Sequence, residues 1–153
     1  MAFARELAAQ LGRPVRYWPT DDMAQPPPSV AAALAVAPGL VRGHIENHAD
    51  LYAAADLVDL SSTWEGWGLP VVEAAASGKL IVAGPYPVLD EIRAFGLTTY
   101  PLDDVAGLID VLDRQDAREN VLDANEAIVR RYFGFTSLPA ALADLAETAV
   151  HLA

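Results

Sequence analysis

At 153 residues, 53% of them hydrophobic and 20% charged, the chain is long enough for one domain with a real core and too apolar for a disordered one. Its net charge of −11, uninterrupted by any basic cluster, makes nucleic acid and anionic lipid poor partners. It has no cysteine for disulfide or thiolate chemistry, no apolar run near the roughly 20 residues that cross a bilayer, and no signal-peptide stretch in residues 1–10, so a cytoplasmic location is the default expectation.

Phe3, Leu7 and Leu11 recur at helical spacing and stop at Gly12, so the sequence opens in a helix. Residues 15–18 read as a strand closed by Pro19. From Thr20 to Ser29 the chain is polar and proline-rich, and Pro26, Pro27 and Pro28 favour an extended, rigid surface loop. Residues 30–36 form an alanine-dominated helix that Pro38 and Gly39 break. Leu40 and Val41 start the next strand, with Gly43 at its end. His44, Glu46 and His48 look like metal ligands, but the zinc protease signature places its glutamate directly after the first histidine, and no third ligand is evident; no metal site is expected here.

Leu57–Leu60 reads as a short buried strand, and after it comes TWEGWGLPVVEAAASG at residues 63–78. Gly66 and Gly68 loosen the backbone, Pro70 is pre-set for the first turn of a helix, and Gly78 ends it. A strand–loop–helix corner of this kind aims free backbone N–H groups and a positive dipole end at one point, and anions bind at such points. Glu65 lies on the loop and Glu73 eight positions on, inside the first turns of the helix. Either could be a solvated surface charge, and a glycine pair before a proline-started helix is common in α/β proteins. A carboxylate beside a phosphate-binding loop nevertheless suits hydroxyl groups, because it only accepts hydrogen bonds and sugars offer O–H donors. The chemistry points to a ligand that is both anion and polyol. Lys79 is the only lysine and the arginines are scattered, so a phosphate here would rest mostly on backbone N–H groups.

Leu80–Ala83 is a further strand, and Gly84, Pro85, Tyr86 and Pro87 form a stiff turn into a helix over residues 88–95. Residues 97–100 read as a strand. Asp103 or Asp104 caps a helix whose Val105, Leu108, Ile109 and Leu112 face inward. Two more helices follow: residues 118–133, with Val121, Ile128 and Tyr132 on one stripe, and residues 137–151, with Leu142, Leu145 and Ala149. Strand and helix alternate, which predicts a Rossmann-like, doubly wound parallel sheet with helices on both faces and ligands beyond the carboxyl ends of its strands. A dinucleotide-binding domain is the nearest rival, but G-x-G-x-x-G after a first strand is absent. Asp59 is out of place in a buried strand.

The run Glu65-Gly66-Trp67-Gly68-Leu69-Pro70-Val71-Val72-Glu73-Ala74 closely resembles the E-x7-E signature of retaining glycosyltransferases of family 4, usually EGFGLPxxEAMA. Asp50-Leu51-Tyr52-Ala53-Ala54-Ala55-Asp56 is similar to the family's LYAAAD segment, Leu60-Ser61-Ser62 to its LPS, and Gly78-Lys79-Leu80-Ile81-Val82-Ala83 to its GxPVVA. Glu91 falls where the glutamate of GGxxE is usual. Pro85-Tyr86-Pro87 departs from the glycine-rich turn common in the family.

The resemblance runs from about Val41 to the end of the sequence. It implies the nucleotide-sugar-binding, C-terminal half of a two-domain GT-B enzyme of hexosyltransferase type. Glu73 would accept hydrogen bonds from ribose hydroxyls. Glu65 would hold hydroxyls of the transferred sugar and stabilise positive charge at its anomeric carbon. Gly66 and the N–H groups of Trp67, Gly68 and Leu69 would face the sugar and diphosphate, and Ile45 the base. No metal or other cofactor is implied, since the helix end takes that part.

An opening helix with no strand before it, and the lack of the family's arginine and lysine after that strand, lead to the expectation of a fragment that does not transfer sugar alone. Its partner would be the missing N-terminal GT-B domain, and its exposed apolar surface could self-associate. The alternative is a non-catalytic nucleotide-binding or interaction module on the same fold; the presence of both glutamates speaks against it.

Overall fold

The computed structural model describes residues 2–12, 48–140 and 142–143. The strands expected at 15–18 and 40–41, the helix at 30–36, and His44, Ile45, Glu46, Leu145 and Ala149 lie outside the described residues. Helix α1 spans Ala2–Leu11 and α2 His48–Ala54; then come β1 Leu57–Leu60, α3 Leu69–Ala76, β2 Leu80–Ala83, α4 Pro87–Ala94, β3 Tyr100–Pro101, α5 Val105–Asp113 and α6 Gln115–Tyr132. The strands form one parallel sheet in the order β1-β2-β3, with Leu57 paired to Leu80 and Val82 to Tyr100.

β2 lies in the middle, and all four of its side chains are buried, as its unbroken apolar run requires. Successive strand residues point to opposite faces, so β2 feeds two cores. Ile81 and Ala83 join Val71, Val72, Ala74 and Ala75 of α3, Leu89 and Ile92 of α4, and Val129 of α6. Leu80 and Val82 join Phe3 and Leu7 of α1 and Val105, Leu108 and Val111 of α5. Because the strand order advances in one direction, the crossovers α3 and α4 return on the same face, leaving the other to α1 and α5. α6 serves both, with Val121 and Leu122 against one core and Ile128 and Val129 against the other. This is the doubly wound α/β architecture that the alternating pattern predicts.

Three local expectations change. The strand expected at 97–100 shrinks to Tyr100–Pro101 because the Asn125 side chain takes both backbone groups of Thr98: the Thr98 N–H donates to Oδ1 at 2.8 Å and Nδ2 donates to the Thr98 carbonyl at 2.9 Å. The stripe of α6 is accordingly built on Asn125, 1% exposed, and Val129, while Tyr132 is an exposed aromatic. Leu142, expected on an apolar stripe, is exposed as well. Asp104 is the cap of α5, accepting from the Gly107 N–H at 3.0 Å; Val111 is buried in that helix, with Ile109 and Leu112 partly buried beside it.

Candidate functional site

Two loops meet at the carboxyl edge of the sheet: residues 61–68 after β1 and residues 84–86 after β2. Their approach is close. The Gly84 N–H donates to the Leu60 carbonyl at 2.9 Å, and a β carbon on Gly84 would sit 2.5 Å from the Ser62 backbone oxygen, so only glycine fits. The first loop ends at Gly68, the N-cap of α3, in the left-handed region at φ 76, and Pro70 lies in the first turn. Among the described residues no side chain caps this N-terminus; Pro70 has no N–H and the Val71 N–H donates to the Gly68 carbonyl at 3.0 Å, so the Leu69 N–H, with the positive end of the helix dipole, stays available at the sheet edge. Gly78, with φ 63, follows the end of α3.

Gly68 is packed. A β carbon there would lie 2.6 Å from Ile92 Cδ1, 3.6 Å from Val88 Cγ1 and 3.9 Å from Tyr86 Cε2. Gly66 differs: a β carbon would meet nothing within 4 Å, and its φ is not positive, so its backbone is open to whatever approaches the loop. Of the two glycines read as loosening the loop, Gly68 alone uses a conformation reserved to glycine. Trp67 is 53% exposed and rests edge-on against Phe133, with ring centroids 5.9 Å apart; Leu69 and Trp64 are exposed beside it. Phe133 and Phe95 continue this aromatic group, 5.1 Å apart.

The two glutamates each keep company with a tyrosine. Glu73, exposed on α3, accepts a hydrogen bond from the Tyr52 hydroxyl of α2 at 2.8 Å. Burial, then that hydrogen bond and the glutamate's charge, push the Tyr52 phenol far above its ordinary range. Glu65 is half-buried on the loop, and its charge acts on Tyr86. The Tyr86 phenol is raised chiefly by burial and then by Glu65, with Arg93 opposing. No hydrogen bond joins Glu65 to Glu73 among the described residues. Tyr52 and Tyr86 are the site residues that pattern reading missed; Tyr52 stands in the segment preceding β1, 21 residues from its partner.

Among the described residues, Lys79 is remote from this corner and Arg93 is engaged. Lys79 precedes β2 and so stands at the opposite, amino edge of the sheet. Arg93 is engaged by Thr99 Oγ1 at 2.8 Å and Asp90 at 3.7 Å. Glu91 is exposed on α4. Asp59, the polar residue of β1, accepts a short hydrogen bond from Ser61 through Oδ1, while its Oδ2 is buried without a partner. No helix among the described residues is long and apolar enough to cross a membrane.

Against known proteins, residues 40–103 match the family described as glycosyl transferases group 1, and this span contains β1, the glycine loop, both glutamates and Tyr86. No curated protein matches the chain. Among solved structures, a GtfA/B complex superposes with a TM-score of 0.69 at 17% identity, over 96% of this chain and 32% of its own. Anabaena Alr3699/HepE in complex with UDP superposes with a TM-score of 0.65 at 18% identity, over 96% of this chain and 53% of its own. The same protein in complex with UDP-glucose gives a TM-score of 0.64 at 18% identity, with the same coverage. The fold is therefore shared with these proteins, and the chain spans between about a third and about half of their length.

Proposed function

We propose that this chain is the nucleotide-sugar-binding domain of a retaining glycosyltransferase of family 4, the C-terminal half of a GT-B enzyme. The observation that carries the proposal is the corner between β1 and α3. There an uncapped helix N-terminus, suited to an anion, is flanked by Glu65 and Glu73, suited to hydroxyls, within the span that matches the group 1 glycosyl transferases. UDP and UDP-glucose in Alr3699/HepE, on the same fold, support a ligand of this class.

In this proposal the N–H groups of Trp67, Gly68 and Leu69 receive the diphosphate. As the bond from the anomeric carbon to the diphosphate oxygen breaks, its electron pair leaves with the diphosphate, and fixed N–H dipoles meet the growing negative charge without reorganising. Glu65 holds sugar hydroxyls and stabilises the positive charge left on the anomeric carbon. Glu73 accepts from the ribose, and the Tyr52 hydroxyl, already donating to it, sets its direction. An acceptor hydroxyl, held by a second domain, forms the new bond to the anomeric carbon and passes its proton to the departing diphosphate oxygen. The protein's own groups supply these roles without a metal or cofactor.

Calorimetry of the chain with UDP, GDP and ADP tests this directly. One of them is expected to bind, and more weakly to Glu73→Ala than to the native chain. Failure of all three to bind would count against a nucleotide site at this corner.

A further inference from the structure

Tyr86 stands where the loop after β2 departs from a glycine-rich turn. It is 4% exposed, and it caps α4 in extended backbone between Pro85 and Pro87, with φ −139 and ψ 149. Its Cε2 is the ring atom nearest Gly68, 3.9 Å from where a β carbon would be. That carbon is bonded to the one bearing the hydroxyl, so the edge of the ring beside the hydroxyl packs under the glycine loop. The hydroxyl oxygen is buried and has no hydrogen-bond partner among the described residues. Glu65, three residues before Gly68 on that loop, is half-buried, and its side chain likewise has no hydrogen-bond partner among the described residues. A phenol donates one hydrogen bond and a carboxylate only accepts, so the two groups are complementary and both unmatched.

We propose that Tyr86 is a positioning residue for Glu65: the two make no hydrogen bond in this structure, and when sugar binds, the Tyr86 hydroxyl donates to the carboxylate and fixes it toward the sugar hydroxyls. The assignment rests on the nucleotide-sugar reading of this corner. Rigidity lies on the tyrosine side: two prolines restrict its backbone, and its ring is packed in the core with Leu89 and Ile92. The glutamate side is less enclosed: Gly66, the residue after Glu65, has open space around it. Without an anchor Glu65 must be ordered by the ligand itself, at the ligand's expense in entropy. Arg93 is the other charge acting on the phenol, and it is already engaged by Thr99 and Asp90, which leaves Glu65 to Tyr86.

The test has two arms on the full chain. In the first, tyrosines are labelled with 13C at Cζ, and Tyr86→Phe identifies the Tyr86 resonance among the five tyrosines. A carboxylate beside a phenol disfavours the phenolate, so Glu65→Gln is expected to lower the Tyr86 titration midpoint by about half a pH unit or more. An unmoved midpoint would overturn the contact. In the second, UDP is paired with UDP-glucose, GDP with GDP-mannose and ADP with ADP-glucose in calorimetry. Tyr86→Phe is expected to leave affinity for the bare diphosphate within about twofold, while weakening the sugar nucleotide roughly five- to tenfold. Equal weakening of both would show a merely structural tyrosine and overturn the proposal. If no nucleotide binds the native chain, the reading of the site has failed, and the NMR arm still decides the Tyr86–Glu65 contact by itself.

Discussion

Three glycines at the carboxyl edge of the sheet have three different surroundings, and replacing each with alanine should separate folding from binding. At Gly68 the new residue would have to hold φ 76, which costs about 1–2 kcal/mol for an L side chain. Its β carbon would also press on Ile92 Cδ1 from 2.6 Å, a flexible methyl that can give way by an off-rotamer shift of order 0.5–1.5 kcal/mol. Gly68→Ala should thus lose about 1.5–3.5 kcal/mol, or about 3–14 °C in melting temperature for a chain of this size. At Gly84 the obstacle is the Ser62 backbone oxygen at 2.5 Å, and the Gly84 N–H bond to Leu60 prevents retreat, so the cost should reach about 3 kcal/mol or more. At Gly66 nothing lies within 4 Å and φ is ordinary, so alanine should be neutral or stabilise by up to about 1 kcal/mol through the unfolded state. Circular dichroism melts give the order Gly84, Gly68, Gly66 from most to least damaging. Calorimetry with sugar nucleotide should rank Gly66→Ala among the weak binders despite its intact fold. Destabilisation by Gly66→Ala equal to that by Gly68→Ala would refute the loop conformation, and full stability with full binding would remove Gly66 from the ligand's path.

Glu73→Ala should weaken nucleoside diphosphate binding by about 1–3 kcal/mol more than Glu65→Ala, since charge-assisted hydrogen bonds to ribose are assigned to Glu73; equal losses in calorimetry would contradict that division. Asn125→Ala removes two amide hydrogen bonds and strands both backbone groups of Thr98, so urea unfolding should show a loss of about 2–4 kcal/mol. Stability should also fall as the pH rises past 10.0, the ordinary tyrosine value. The folded chain holds the Tyr52 proton above that pH while the unfolded chain releases it, so the folded state binds more protons there. Melts of Tyr52→Phe between pH 8 and 11 should show a shallower alkaline decline than the native chain, and an unchanged slope would rule out the Tyr52 contribution.

What was legible in the sequence is what local chemistry decides. β2 is an uninterrupted short apolar run, β1 is one broken only by Asp59, and α3 is bracketed by a proline at its start and glycines at both ends, so their limits follow from neighbouring residues. The missed parts are decided across distance. Residues 97–100 look like a strand by pattern, and nothing nearby announces that Asn125, 27 residues on, will take the backbone of Thr98. Tyr52 is a plain member of an alanine-rich helix until Glu73 is brought to it. Tyr86 between two prolines has the composition of a surface turn, and its burial arises from packing under Gly68, Val88 and Ile92, which the sequence does not order. The location of Lys79 at the far edge, in contrast, follows once the strand direction is known.

The Tyr52–Glu73 hydrogen bond, with the Tyr86–Glu65 contact proposed above, bears on how one corner would take an anion and a polyol together. An arginine or lysine beside Glu65 or Glu73 would form an ion pair, saturating the carboxylate and drawing the phosphate away from the helix end. A phenol supplies one donor and no positive charge, so a carboxylate held by it keeps its remaining lone pairs for sugar hydroxyls. Burial keeps both phenols protonated, and hence donors, through the neutral range. In the proposed function the charge of the diphosphate falls to N–H groups at the start of α3; among the described residues Lys79 lies at the other edge of the sheet and Arg93 is engaged. A phosphate that slid toward either glutamate would be repelled, and a hydroxyl that slid toward the N–H groups would give up its acceptor. In the proposed complex the two ends of the ligand are therefore sorted along the loop by charge and by hydrogen-bond polarity, the orientation that transfer at the anomeric carbon between them would require.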